Sequence, residues 1–561
     1  MRDRVIIAAM IVLAVVMPAT LTAQVTKQVE VTKEYIPDVA PATKLAITPD
    51  MTDTVRLRPD IDYSITPLSW KTNFKTEKFR PATLSYWEFK RSKPFYLKVG
   101  AGYPTHTEGD LYASTQNPDV GFLSFYVNHR GAYDDIKNYF GLRSDSRSME
   151  NRAGVAMGLY AGKRTVEGDF SYDNRMYRRY AGGAEWQDKG LGDRVNMGLL
   201  SGEIRYGDDF KDLSRVNFNL VLRGDIFHDN SKVRGAEYKV VDERYNQYKY
   251  GASAAVAKSF GKNSLHVMVD YDAYVGAREM SYYRDDVAHA AARYGRTGGA
   301  IEYLVGADYY YDKYRHNSAS HYVTPFLNLR FNVSKKGHFI PYIDIDGEVL
   351  NNSYMSLSRI NPFVETGFSP EKSTLKYNLR LGIAGNLAKD KIGYRVSAGL
   401  TFARNYRYWY VRDYMWFGVD LAKQNIFSYE AELSYRPISD LTISANVRGW
   451  AFSNNVSISD AHPKIEAGGR VEYKVRGWRF HVAADMYGES VWTNKTGETR
   501  YDWLLFTTPL SVDLSAGVEW QYRNDVGFYL EGRNLTNSRL YPVAYYADYG
   551  IGFMFGVKVQ F

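Results

Sequence analysis

The chain closes on Ile551-Gly552-Phe553-Met554-Phe555-Gly556-Val557-Lys558-Val559-Gln560-Phe561. Ile551, Phe553, Phe555, Val557, Val559 and Phe561 are apolar at every second position, with Gly552, Gly556, Lys558 and Gln560 between them. Successive side chains of an extended strand point to opposite faces, so one face of this segment suits lipid and the other suits water.

Composition agrees with a protein that meets both solvents. A mean hydropathy of -0.41 with 24% charged residues excludes a helical membrane bundle, which needs several apolar runs of ~20 residues. Tyrosines number 48 against 27 phenylalanines, an excess that suits side chains holding a ring in lipid and a hydroxyl at the interface. A soluble chain of 561 residues would divide into several domains, whereas a closed barrel uses most of that length as one unit. The absence of cysteine excludes disulfide frameworks, thiolate zinc sites, cysteine nucleophiles and an N-terminal lipid anchor. The net charge of +8 comes from Lys and Arg interleaved with Asp and Glu, not from a cationic block. Acidic lipid headgroups and lipopolysaccharide are therefore the expected partners, and nucleic acid is not.

From Pro94 onward one theme repeats: strand, tight turn, strand, longer polar loop. Leu375, Tyr377, Leu379, Leu381 and Ile383 share a face opposite Lys376, Asn378, Arg380 and Gly382, and Ala388-Lys389-Asp390-Lys391 turns the chain. Phe427, Tyr429, Ala431, Leu433 and Tyr435 alternate with polar residues, as do Leu441, Ile443, Ala445 and Val447. A soluble sandwich would alternate in the same way. The connections separate the two folds: short turns on one side, and on the other loops such as 131–150, 279–297 and 352–373, as a membrane barrel makes between periplasm and exterior. The expected fold is all-β, a single antiparallel transmembrane barrel over residues 94–561 with about 20 strands, 18 and 22 being the alternatives. Ala300 to Asp312, with Tyr309, Tyr310 and Tyr311, alternates poorly and reads as an extracellular loop excursion.

Met1 to Ala23 has a short charged start, an apolar stretch from Val5 to Met17 and a polar end, the pattern of a signal peptide delivering the protein through the inner membrane. Residues 24–93 carry Pro37, Pro41, Pro49, Pro59, Pro67 and Pro81 with no sustained period, which predicts an extended periplasmic arm or reduced plug.

Inward-facing polar residues Arg215, Asn217, Asn219, Arg223 and Asp225 are the candidates to line a lumen. His266 beside Asp270, and His481 beside Asp485, are expected as lumen histidines hydrogen-bonded to carboxylates. No histidine falls at a metal-ligand spacing, and no nucleophile elbow, phosphate loop or dinucleotide fingerprint occurs in its proper context. The chain reads as a non-enzyme without cofactor or metal. Asn351-Asn352-Ser353 and Asp134-Asp135 read as solvated loop tips before calcium sites.

The strand holding Phe555, Gly556, Val557, Val559 and the terminal Phe561 resembles the assembly signal of bacterial outer-membrane barrels, which implies recognition by the barrel assembly machinery of a Gram-negative envelope. Leu530-Glu531-Gly532-Arg533-Asn534-Leu535-Thr536-Asn537, with Tyr541 following, is similar to the N-L-x-N element before the final strand of TonB-dependent receptors. Tyr96 to Tyr103 resembles the first barrel strands of that family, and Val29-Glu30-Val31-Thr32 resembles its TonB box. The arm is about half the length of the family's plug domain. The resemblance implies an outer-membrane, receptor-like barrel for solute uptake or binding, with TonB as a partner. The short arm supports a second expectation, a non-transporting barrel in an outer-membrane assembly or secretion complex, alongside a surface lipoprotein or another outer-membrane subunit.

Overall fold

The computed structural model describes residues 93–117, 120–181, 194–231, 233–234, 240–241, 244–334, 337–453, 463–495 and 503–561. The leader, the arm up to residue 92 and the Val29–Thr32 segment lie outside the described residues.

Among the described residues, 24 strands join one sheet. Two of them, Ser490–Lys495 and Trp503–Thr508, form a hairpin that leans in parallel on the end of the strand Ile392–Arg412. The remaining 22 form an antiparallel wall in which the first strand, Phe95–Tyr103, pairs with the last, Gly552–Gln560, closing a barrel. Closure leaves no edge of unpaired backbone groups, the condition for spanning lipid with strands. No helix among the described residues is long and apolar enough to cross a membrane.

The period of two sets the two surfaces. Leu220, Leu222 and Ile226 face outward on Asn217–Asp229, as do Val267 and Val269 on Asn263–Arg278 and Phe427, Tyr429, Leu433 and Tyr435 on Trp416–Ile438. Gly261 and Gly162 turn tight connections with positive φ at one end of the barrel, where Lys93 Nζ also donates to the carbonyls of Asn524 (2.6 Å) and Gln560 (2.7 Å). At the opposite end stand the long connections 133–147, 351–372 and 534–551. These ends correspond to periplasm and exterior in a membrane barrel.

Two segments read as loop are wall. Arg284–Arg296 and Ile301–Tyr314 are paired along their length, and only residues 279–283 and 297–300 connect them to each other and to the preceding strand. With both in the wall the count is 22, the upper of the expected alternatives. The lipid-facing positions of the first are small, Ala288, Ala290 and Ala292, while the second shows Ile301, Tyr303, Val305, Ala307 and Tyr309 outward with Leu304 turned inward among polar residues. Tyr310 points inward and donates to the Gly347 carbonyl at 2.8 Å, so the tyrosine triplet straddles both faces. A register shift between Leu375 and Tyr377 likewise turns Leu375 into the interior while Tyr377 faces out, breaking the alternation read across them.

The closing seam has its own lock. Tyr529, Gly556, Gly100 and Glu108 are successive cross-strand partners over the last two and first two strands. The Tyr529 ring lies across both glycines, whose missing Cβ atoms leave room for its hydroxyl, and donates to Glu108 Oε1 at 2.5 Å. Lys98 Nζ meets the same carboxylate at 2.7 Å. Gly100→Val is expected to cost about 1–3 kcal/mol by overpacking and to lower the temperature at which the barrel loses its compact electrophoretic mobility. Adding Tyr529→Ala should recover part of that loss, since the clashing ring is gone. A Gly100→Val barrel as heat-resistant as the parent would show that the ring does not lie there.

Candidate functional site

The lumen holds a cavity of about 2060 Å³. It runs from the rim at Lys93, Asn524 and Gln560 up to Ile360, Phe363 and Tyr546. Its walls carry paired charges: Arg130 with Asp110 (3.0 Å), Arg448 with Glu466 (2.5 Å), Arg533 with Glu531 (3.1 Å) and Lys558 with Glu519 (2.5 Å). Opposite charges thus stand side by side along the inner wall. Among the described residues no group of acids and histidines could hold a metal ion.

The exterior end is roofed by two of the long connections. Residues 351–372 fold inward and contain the helix Tyr354–Ile360, capped by the Ser353 hydroxyl, which accepts from the Ser356 amide. Tyr354 is fully buried, donates its hydroxyl to Asp229 and meets Phe227 edge-on at 5.6 Å. The Met355 amide donates to Gln247 Oε1 at 2.7 Å. Farther along, Glu365 N donates to the Phe417 carbonyl (2.7 Å) and Phe417 N to the Phe363 carbonyl (3.1 Å), joining the lid to a distant strand. At its far end the buried Lys372 ammonium is held by Asp285 and by Asp312 at 2.5 Å.

The second connection, 534–551, comes from another sector of the wall. Its Tyr546 stacks on Phe363 with ring centroids 3.8 Å apart and donates to the Met415 carbonyl at 2.9 Å. Tyr545 packs on Phe506 of the outer hairpin at 4.2 Å, and Tyr180 donates to the Ala547 carbonyl at 2.6 Å. Burial pushes the Tyr180 and Tyr354 hydroxyls well above their ordinary ionisation range and Tyr545 up to about 12, so these phenols stay neutral, the first two as donors and Tyr545 as acceptor from Asn494 Nδ2 at 3.3 Å. The roof is thus a hydrophobic core of its own, keyed at Phe363 and Tyr546.

Asn352 and Ser353, read from sequence as a solvated tip, are fully buried at the root of this lid. The sequence-derived lumen residues divide. His481 and Asp485 border the cavity, and the His481 ring fills the space that Gly517 leaves without a Cβ. Arg223 lies on the inner wall and pairs with Asp270 and with Asp272 at 2.8 Å, while Asp225 stands opposite Lys249 in register. Asn219 faces inward with them near the periplasmic end of its strand. Arg215 precedes that strand and pairs with Asp208 at 3.0 Å. Asn217 is fully buried and caps the turn by donating to the carbonyls of Asp212 (2.7 Å) and Arg215 (3.0 Å), so these two shape a periplasmic turn.

The carboxylate partner expected for His266 is absent: its Nε2 pairs with the Ser264 hydroxyl at 2.9 Å. Residues four apart on one strand lie roughly 13 Å from each other, and Asp270 is taken by Arg223 from another strand. Asp272 and Lys249, which complete that ion-pair group, become visible only once strand neighbours are known.

No protein-family model matches the chain, and no curated protein matches it. Solved structures do. The copper transporter OprC superposes with a TM-score of 0.65 at 13% identity, covering 84% of this chain and 80% of that one. The FrpB iron transporter from Neisseria meningitidis gives 0.66 at 10% identity, covering 84% and 82%. The pyoverdine outer membrane receptor FpvA from Pseudomonas aeruginosa PAO1 gives 0.63 at 10% identity, covering 85% and 79%. The likeness shows the fold, a closed 22-stranded antiparallel barrel.

Lys372→Met would leave the fully buried Asp285 without its cation, a change that costs about 3–5 kcal/mol. The lid should then open far more often, and trypsin added outside reconstituted vesicles should cut after Arg359 at least ~100-fold faster than in the parent. An unchanged cleavage rate would mean that this ion pair does not hold the lid.

Proposed function

We propose that this chain is an outer-membrane, receptor-like barrel that binds a polar solute in its lumen and takes part in its uptake. The observation that carries the reading is the large, charge-lined chamber lying behind a roof of two connections rather than open to the exterior. A permanently packed core would have no use for ion pairs facing water along its walls. The three solved proteins named above move copper, move iron and bind pyoverdine, and that supports solute uptake as a class while leaving the solute open.

On this reading residues 1–23 deliver the chain through the inner membrane. Residues 24–93 act in the periplasm as an extended arm or reduced plug, with Val29–Thr32 offered to TonB. The Phe561 strand serves the assembly machinery, and the outer surface of Leu220, Val267 and Phe427 meets lipid and lipopolysaccharide.

One observation favours the second reading, a non-transporting subunit of an outer-membrane complex: the exterior mouth is closed by a packed core, as a purely structural barrel would need. Planar-bilayer conductance separates the two. The intact chain is expected to conduct little. Replacing residues 353–369 with a short Gly-Ser linker should give a large, steady conductance, increased further by removing residues 24–92. A barrel silent in every form would count heavily against transport. Crosslinking from native membranes would then be expected to capture a stoichiometric partner that is lost with the arm.

A further inference from the structure

Arg179 stands where both halves of the roof are anchored, and among the described residues it is the one arginine of its group without an acid. Three arginines crowd the outer end of the strand Arg164–Arg178: Arg175 pairs with Asp173 at 3.3 Å, and Arg178 with Asp145 at 3.3 Å. Arg179 is 4% exposed, and none of its three guanidinium nitrogens has a hydrogen-bond partner among the described residues. Among the described residues the face of Trp416 lies 4.2 Å from it, and its charge is felt by the Tyr354 hydroxyl.

A ring face returns roughly 0.5–2 kcal/mol to a cation, whereas the penalty for taking an ion out of water is several kcal/mol. Among the described residues the closed roof therefore gives the five N–H donors of this cation no acceptor.

The position matters as much as the deficit. Tyr180, the next residue, is tied to the Ala547 carbonyl of one connection. Phe417, next to Trp416, is tied to Phe363 and Glu365 of the other. The outer end of this same strand also touches the lid helix, through the bond from Arg175 to the Arg359 carbonyl at 3.5 Å. Any shift that lets an acceptor reach Arg179 must move these anchors.

We propose that Arg179 is the receptor for an acidic group, a carboxylate or a phosphate, on a molecule arriving from outside, and that pairing with it opens the roof over the lumen. A ligand moves a conformational equilibrium only by its differential affinity for the two states. Here that difference is a charge-assisted, bidentate bond available in the displaced roof and sterically denied in the closed one. The inference rests on the uptake reading above and assigns the chemistry that would begin it. The acidic group need go no deeper than the mouth, because the lumen charges below are already paired.

The chain has no cysteine, so Ile360→Cys supplies a single thiol on the lumen side of the lid. Its reaction with a membrane-impermeant maleimide, added outside reconstituted vesicles, reports opening whether or not anything is transported. Millimolar malonate or methyl phosphate is expected to speed labelling about tenfold or more, and sucrose to leave it unchanged. Comparing the two anions tells a carboxylate from a phosphate ligand. In an Arg179→Met background the anion response should vanish, and in Arg179→Lys it should survive weakened, because Lys keeps the charge and loses the fork. Heat-modifiable mobility confirms that each variant is folded, with Arg179→Gln replacing the Met variant if that one is not. Labelling of the parent that ignores both anions overturns the proposal, as does an equal response without the guanidinium. Anion-dependent labelling in a barrel that never conducts would keep the site and reject uptake.

Discussion

In hydrocarbon no water is present to satisfy a backbone amide or carbonyl, and each one left unpaired costs several kcal/mol. A sheet can live there only if its first strand finds its last. The rest of this molecule follows from that demand: 22 strands must be paired in sequence, and the ring they form is wide enough to need something inside it. The row Tyr529–Gly556–Gly100–Glu108 shows where the demand is met, with two glycines surrendering their side chains so that one tyrosine can bridge the joint.

A wide ring must also manage its own bore. Here the exterior mouth is roofed by segments drawn from the connections, and the material is aromatic: Tyr354, Phe363, Phe417, Trp492, Tyr545 and Tyr546 are all buried together. Aromatic side chains bury much area with few rotatable bonds, so a short segment can build a core that a polar loop of equal length could not. Below the roof the chamber keeps paired charges, so the two levels of the interior differ in kind, a dry seal above and a wet space beneath it.

How much of this could be read from sequence depended on which side chains marked the lipid face. Where Phe, Leu, Val and Tyr filled it, as at Phe427 to Tyr435 and at Phe553 to Phe561, the strands stood out from period alone. Where alanine did, at Ala288, Ala290 and Ala292, the strand vanished into the surrounding loop, because a small side chain tolerates lipid without announcing it. Tyr309, Tyr310 and Tyr311 failed for the opposite reason, a residue at home on both faces. The inner wall was legible residue by residue but not pair by pair: Arg223 was found, whereas Asp272 depended on strand neighbours. The roof was the least legible part, since Asn351-Asn352-Ser353 has the composition of a solvated tip, and only its capping and burial in three dimensions reveal a helix start.

The lock at the seam joins residues 421 positions apart in the chain, Tyr529 and Glu108. Contacts of such separation carry the largest loop-closure cost and form late. A chain that ends early, or whose last hairpin is damaged, can pair every interior strand and still present two open edges, one at each end of its ribbon. Closure of the barrel therefore depends on both ends of the wall at once, and a copy in which either end fails exposes edges able to pair with another chain.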